Sequence, residues 1–557
     1  MSREIITLQL GNYANYVGTH WWNIQEASFS YDSETEETEV DHDVLYREGQ
    51  TNNRQTTFTP RMLLLDLKGT LKFMQEDGQL YNDYSSENSK EDIVNEVLWD
   101  PNKVTVVKEE HVERNAYQHD LEQPNNSVIE QEKDYDFVNS VEDWIDFSYA
   151  RYHPRSINIV NEYIHSKEEH RFDTITSGME LWRKCDVQEQ FTDKIRQYVE
   201  ECDQCQGFQL LFDCVDGFTG VAIKTLEYIQ DEYGKASLVF PVFPPKQLNY
   251  KNADETMSTS IRVINIALAF SELIERCSLF IPLSTMEQCW RDTAKPCIFP
   301  NISYDETNFY HTSALLATFL DTASLRYRLK NHSSENYLAS LCSELSPYGR
   351  KMAAAGLSLP FPMRSSEDLI DFLDKSERLF YRQLTPNATI GSKYVVQSVT
   401  VRGISKARLK RPPMSKSAQR QQRMAAYRCD TVSEMLQYYY QCQFHASMSH
   451  VTACQTPMKL KTPFPFELFA SCIGPDGYLN DFNRGLNQKV TSTPVQSLIQ
   501  SSGELFSALD SLYKEVSRIK IAKIPRFGED GLESENYKES LERLIELKER
   551  YYDNYEI

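Results

Sequence analysis

Short apolar runs bounded by small residues alternate with amphipathic stretches through the first half of the chain. Ile5–Leu10 has a buried-strand pattern and runs into Gly11-Asn12-Tyr13-Ala14-Asn15-Tyr16-Val17-Gly18, after which residues 19–24 read as helix. A strand, a small-residue turn and a helix make the first half of a βαβ unit. Residues 62–65 predict a second strand, ending in the turn Asp66-Leu67-Lys68-Gly69-Thr70. Residues 207–212 predict a third, running into Asp213-Cys214-Val215-Asp216-Gly217-Phe218-Thr219-Gly220, with a helix over 221–233 and a strand over 236–243 behind it. Repeated units of this kind predict an α/β fold with a parallel sheet, whose ligand crevice lies at the strands' carboxyl ends.

Further along, 260–275 and 313–329 are strongly apolar helical segments, the second long enough for a central helix. Pro360-Phe361-Pro362 opens a second region, in which 394–400 alternates as a strand. From Arg402 to Arg428 there are nine Lys/Arg and no acid around Pro412-Pro413, the pattern of a flexible basic loop, either solvated or docking on an anionic surface. Leu541, Leu544, Ile545, Leu547 and Tyr551 give the tail an amphipathic helix. Two polar stretches interrupt the first region: 32–43, with seven carboxylates and no Lys or Arg, and 75–141. The organisation expected is a first α/β domain over 1–305 with acidic insertions near 31–50 and 75–140, a central helix over 306–330, a second α/β domain over 331–495 carrying the basic loop 402–428, and a helical region over 496–557.

Across 557 residues, 59 Lys+Arg against 81 Asp+Glu give a net charge of −22, which argues against nucleic-acid binding through the whole surface. Twelve cysteines are scattered singly except for Cys202 and Cys205, a C-x-x-C pair with no second pair to complete a zinc site. They are expected to be thiols in a reducing compartment. The amino terminus lacks a leader pattern and no apolar run approaches the ~20 residues of a membrane span, so a cytoplasmic protein is expected.

Taken in order, several segments resemble tubulin. Gln9, Gly11, Ala14, Asn15, Tyr16 and Gly18 follow its first phosphate loop, Q-x-G-x-x-G-N-Q-x-G. Pro60-Arg61 with 64–70 is similar to its second loop, and Cys202-Asp203-Gln204-Cys205-Gln206-Gly207-Phe208-Gln209 is similar to its C-D-x-x-Q-G-F-Q strand. Trp21-Trp22-Asn23-Ile24, His153-Pro154-Arg155-Ser156, 198–203 and Asp216-Gly217-Phe218-Thr219-Gly220 with Gln230-Asp231-Glu232-Tyr233 resemble more narrowly the Misato family of tubulin-related proteins. The resemblance covers residues 1–30, 55–75 and 140–365. It implies a tubulin-like fold and roles in mitochondrial distribution and morphology and in spindle microtubule assembly. The partners implied are proteins, tubulin or its folding machinery among them, with peripheral contact at the mitochondrial outer membrane.

The resemblance places degenerate nucleotide loops at Gly11, Asn12, Asn15, Asp66, Lys68, Gly217, Thr219 and Gly220. Tubulin's G-G-G-T-G-S-G loop cradles phosphates with backbone N–H groups. Here only two glycines remain, and Asp213 and Asp216 bring carboxylates to the same place, where like charges ~4 Å apart cost on the order of 4 kcal/mol. Asp66 reads equally as a satisfied cap or a ligand, and Lys68 as a cation able to meet a phosphate. Counting back from Pro360 places Ala353 where tubulin carries its activating acid. Thr307 and His311 fall on the purine-contacting positions, with Phe309 or Tyr310 as stacking rings in a shifted register. The Trp21-Trp22 pair is expected in the core and His153 with Arg155 in a structural loop lock. The expectation is therefore a non-catalytic protein with no cofactor. A slow GTP-binding switch and a polymerising tubulin paralogue are the alternatives.

Overall fold

A computed structural model describes residues 3–29, 38–50, 54, 56–74, 113–122, 133–165, 171–245, 254–290, 295–330, 336–376, 380–389, 394–410, 424–444, 446–485, 488–529 and 531–552. Six strands, β1 (Ile5–Leu10), β2 (Met62–Lys68), β3 (Ile157–Ile164), β4 (Gly207–Asp213), β5 (Ala236–Val242) and β6 (Leu279–Phe280), form a parallel sheet in the order β3-β2-β1-β4-β5-β6. Every residue of β1 and β4 is buried, which explains their continuous apolar runs: both sheet faces are covered. Leu10 pairs with Leu65 and with Phe212, so Gly11, Asp66 and Asp213 emerge side by side at the carboxyl edge.

Around this sheet lie α1 (Asn12–Ser28), α2 (Ile175–Arg183), α3 (Cys185–Glu200), α4 (Phe218–Tyr233) and α5 (Asp254–Arg276). Helices α2 and α4 cross at contact distance through glycines: a Cβ on Gly178 would stand 1.8 Å from the Gly217 carbonyl oxygen, and one on Gly220 would stand 2.1 Å from that of Ile175. Trp21 and Trp22 are buried and stacked in the core. Residues 257–276 of α5 are long and apolar enough to cross a membrane by length and composition, which the sequence scan misses because Arg262, Asn265 and Ser271 interrupt them. The helix packs instead on the first sheet and beneath the carboxyl-terminal helices, with Ile264, Ile266 and Phe270 fully buried.

The central helix α6 (Phe309–Arg328) is buried from Tyr310 to Arg328. Helix α7 (Leu338–Leu345) leads into the second sheet, made of β7 (Ala354–Ser358), β8 (Arg382–Gln383), β9 (Tyr394–Arg402), β10 (Ala446–Cys454) and β11 (Val495–Ser502) in the order β8-β7-β11-β9-β10. Helix α8 (Val432–Gln443) covers it, while α9 (Phe506–Val516) and α10 (Ser534–Arg550) pack on α5.

Four expectations change. The division at 495/496 falls at a strand, β11, that lies in the middle of the second sheet, because its apolar residues pair with β7 and β9. The insertion near 31–50 joins the fold at its end, where Tyr46–Gln50 pairs antiparallel with Thr56–Pro60. The stretch 75–140 is not mere decoration, since Tyr117 of helix Ala116–Glu122 is buried against Phe137, whose ring stacks on Tyr310 of the central helix. Residues 30–37, 75–112 and 123–132 lie outside the described residues. Finally, the basic loop is tied down at its start: Arg402 is buried at the end of β9, Arg408 lies over Tyr478, and the Lys410 ammonium donates to the carbonyls of Tyr427 and Cys429. Residues 411–423 lie outside the described residues.

Buried charge joins the central helix to the second sheet. Asp321 accepts from Arg328 at 2.9 Å and from Arg402, while Arg326 reaches Glu344 at 2.6 Å and Ser398 at 3.0 Å. Removing one partner of such a pair strands the other charge, typically at about 3–5 kcal/mol. Asp321→Ala is expected to lower stability by about that much, read as a shift of the urea unfolding midpoint with unchanged slope.

Candidate functional site

Helix α1 begins at Gly11, whose φ of +109° few other residues adopt and whose N–H donates to the Leu65 carbonyl at 3.0 Å. The first-turn amides of a helix have no intrahelical acceptor and make a ready site for an anion. Here the acceptor belongs to the chain. Asp213, the last residue of β4, takes the Tyr13 N–H at 3.0 Å on one oxygen and the Ala14 N–H at 2.8 Å on the other. The fit is close enough that a Cβ at position 11 would lie 2.6 Å from the Asp213 carboxylate.

The loop after β4 repeats the device at the start of α4. Asp216 accepts the Phe218 N–H at 2.9 Å, the Gly217 N–H donates to the Phe172 carbonyl at 3.0 Å, and the Gly220 N–H donates to the Gly217 carbonyl at 2.9 Å. The Thr219 hydroxyl donates to the Asp213 carbonyl at 3.3 Å. Asn265 of α5 clamps the loop from behind, donating to the carbonyls of Val215 at 2.9 Å and Asp173 at 2.7 Å. These loop donors, which would face phosphates, are committed within the chain.

Asp66 lies inside β2 with its carboxylate oxygens taken up within the chain. It is fully buried and accepts from the Asn15 amide at 2.8 Å, the Trp144 indole at 2.9 Å and the Leu67 N–H at 2.8 Å. Asn12 contacts His165 at 3.1 Å and Asp143 at 3.4 Å. Lys68 closes β2, where its carbonyl takes the His165 N–H at 2.9 Å, and the cation that enters the neighbouring carboxylates is Lys72. Its ammonium lies 2.9 Å from Glu142, 2.9 Å from Asp146 and 3.6 Å from Asp143. Burial works against that charge, yet the hydrogen bonds with Glu142 and Asp146 hold the Lys72 pKa above the usual lysine value. Sequence reasoning misses Lys72, Asp143, Trp144 and His165, because the first three flank a polar stretch without a motif and His165 stands alone after β3. The only available signal is the capping-box spacing of Asp143 and Asp146.

At the other end, Thr307 and His311 close a loop: the Thr307 hydroxyl donates to Asp305 at 2.8 Å, and His311 lies 3.2 Å from Glu467. Tyr310 is not available for stacking, since it is buried and donates its hydroxyl to the Pro463 carbonyl at 2.6 Å. Phe309 packs edge-on against Tyr13 and Tyr16, and the Tyr13 hydroxyl donates to Thr312 at 3.1 Å. The ungapped count to Ala353 is also corrected. Ala353 is buried at the entry to β7, where its N–H donates to the Phe280 carbonyl at 2.9 Å, so Pro360 follows a strand and no helix precedes it. The helix before a proline turn is α7, ahead of Pro347, and its one carboxylate, Glu344, is held by Arg326. His153 and Arg155 do lock a loop: the ring of His153 accepts the Arg155 N–H at 3.2 Å and the guanidinium pairs with Glu201.

Burial pushes Asp213 up to about 8, reinforced by Asp66 and opposed by its two amide donors. Burial and the nearby Asp213 raise Asp216 strongly; burial also raises Asp66, and lifts Asp143 to about 6. The oxygens of Asp213 and Asp216 occupy the place and take the donors that a triphosphate would need, so the residues present do not fit that group.

A parallel sheet with phosphate-loop geometry at its carboxyl edge, a buried central helix and a second mixed sheet define a tubulin-like protein. The family model of the Misato Segment II tubulin-like domain matches residues 3–123, and the Tubulin domain model matches residues 136–329. The chain is 41% identical to Protein misato of Drosophila melanogaster over 99% of both chains, and 32% identical to Protein misato homolog 1 of Homo sapiens over 99% of this chain and 98% of that one. Protein dml-1 of Neurospora crassa is 31% identical over 66% of this chain and 64% of its own. The chain belongs to the Misato family, and residues 75–123 lie within that family's own domain.

A raised carboxyl binds its proton in the folded chain at pH values where the unfolded chain, near 3.9 for an ordinary aspartate, has released it. Stability should fall as pH rises from about 4 to about 8, the window set by Asp213. Asp213→Asn, which cannot ionise, is expected to flatten that decline, as read from thermal midpoints across this range.

Proposed function

We propose that this chain is a non-catalytic tubulin-like protein that acts through protein–protein contacts in mitochondrial distribution and morphology and in spindle microtubule assembly. The observation that carries the non-catalytic reading is the Asp213 carboxylate on the amides of Tyr13 and Ala14, with Asp216 doing the same at α4. Carboxylates of the chain itself on the Tyr13, Ala14 and Phe218 amides take donors that a transferable phosphoryl group would need. The chain's partners are then proteins, tubulin or the machinery that folds it, and family membership supports that direction. The protein as purified should release no guanine nucleotide on denaturation, and Asp213→Gly should gain measurable binding of inorganic phosphate. Stoichiometric GTP in the wild type, or turnover near the ~1 s⁻¹ of slow ordinary enzymes, would favour the GTP-switch reading instead.

The proposed site of action is the cytoplasmic face of mitochondria, reached peripherally and electrostatically through the basic segment. Each Lys or Arg near an anionic surface contributes ~1 kcal/mol. Arg402, Arg408 and Lys410 are engaged within the fold, and of the segment's other six cations the four chosen for replacement are Arg411, Lys416, Arg420 and Arg423. Changing these four to Gln, or raising salt, is expected to release the protein from isolated mitochondria. Retention through both treatments would mean that a partner or apolar burial makes the contact.

A further inference from the structure

Each of the two large sheets ends in two edge strands, whose outer N–H and C=O groups find no partner within the sheet and can template another strand. Three of the four edges are blunted. β6 and β8 are two residues long, while β3 breaks register between Val160 and Ile164 and carries Glu162, which pairs with Lys184 at 4.0 Å. β10 has none of these devices. It runs nine residues, Ala446-Ser447-Met448-Ser449-His450-Val451-Thr452-Ala453-Cys454, without Lys, Arg, Asp, Glu, Pro or Gly, and pairs with β9 in unbroken parallel register. No backbone hydrogen bond from a described residue reaches 446–449 or 451–453 from the far side. One face of the strand turns towards α8, where the Ser447 hydroxyl donates to the Tyr440 carbonyl at 3.5 Å and Val451 and Ala453 pack with Met435. On the other face Thr452 and Cys454 are buried, whereas Ala446 is exposed and Met448 is 73% exposed. The edge thus offers its backbone for about 30 Å beside an uncovered methionine.

What the edge lacks selects its occupant. Without charge it gives an acidic or basic segment nothing to pair with, and a charged side chain laid over Met448 would lose water without compensation. The occupant must be an extended segment equally free of charge, and β10 is itself such a segment. We propose that two copies of this chain associate through antiparallel pairing of their β10 strands about a two-fold axis at His450. In that register Ala446 of one copy stands opposite Cys454 of the other, and Met448 opposite Thr452, so all nine residues are covered and no like charges meet. Two five-stranded sheets become one continuous sheet across the axis. The contact is isologous and closes at two copies, which sets it apart from the head-to-tail stacking that builds filaments. The chain's net charge of −22 opposes the approach of a second copy elsewhere on the surface, so screening by salt should tighten the dimer.

The test follows the full chain by sedimentation velocity over a concentration series, with hydrogen–deuterium exchange on the same samples. The expected result is a monomer–dimer equilibrium that moves towards dimer with concentration and with salt, while the amides of β10 become protected as the dimer fills. Met448→Lys should abolish the dimer and leave the far-UV circular dichroism unchanged, since Met448 is exposed in the single chain and a lysine on an edge strand blocks pairing. The substitution takes one unit off the −22 charge, so a general relief of repulsion would strengthen association instead. Tyr348→Lys, the same change of charge at a side chain 96% exposed on the turn ahead of β7, should leave the dimer intact. A wild type that stays monomeric throughout, an assembly that grows beyond two copies, or a dimer that survives Met448→Lys would overturn the proposal.

Discussion

A parallel sheet that delivers helix N-termini to its carboxyl edge leaves amide donors pointing into a buried crevice, and those donors must meet an acceptor. In this chain that requirement is met by Asp213 for α1 and Asp216 for α4. Much of the surrounding architecture follows from it. Gly11 has no side chain because the carboxylate fills the space a Cβ would need, and Gly217 and Gly178 let the Asp216 turn press against α2. Asn265 then holds the loop from the α5 side, so the device is braced from two helices.

The opposite end of the crevice is closed by packing. Tyr13, Tyr16 and Phe309 form an edge-on cluster at the start of the central helix, and Tyr310 anchors that helix to the segment around Pro463. The central helix is thus fixed at its amino end by rings and at its carboxyl end by Asp321, Arg328 and Arg402. Between these ends the helix packs on α1 on one side and on β9 and β11 of the second sheet on the other.

Much of this was legible from the chain itself. Largely apolar strands such as 5–10 and 207–213 read correctly because a sheet covered on both faces needs no alternation, and Asp216 stands out because it replaces a glycine in a loop that should be bare, with Asp213 just ahead of it. Lys72, Asp143 and Trp144 were not legible: their roles depend on residues 142–146 meeting Asp66 and Lys72 across about seventy positions of chain, a long-range contact that local spacing does not encode. Ala353 was placed by counting from Pro360, which assumes that a helix precedes the prolines. The chain instead puts β7 there, and periodicity cannot separate so short a run as Ala354–Ser358 in a strand from the same run in a helix. The division at 495 failed for a related reason, since β11 gains its partners from strands about a hundred residues or more away.

The Asp213 contact also changes how the fold answers to its surroundings. A protein stabilised by a diffusing ligand gains by mass action, about 2.7 kcal/mol when the ligand stands at a hundred times its Kd, and loses that when supply falls. A carboxylate carried on the neighbouring strand has a fixed effective concentration set by the chain's geometry. Dilution cannot remove it, and no competing anion can chase it away without first breaking the strand end that holds it. The Tyr13 and Ala14 amides are thereby satisfied by an acceptor that is part of the sheet itself.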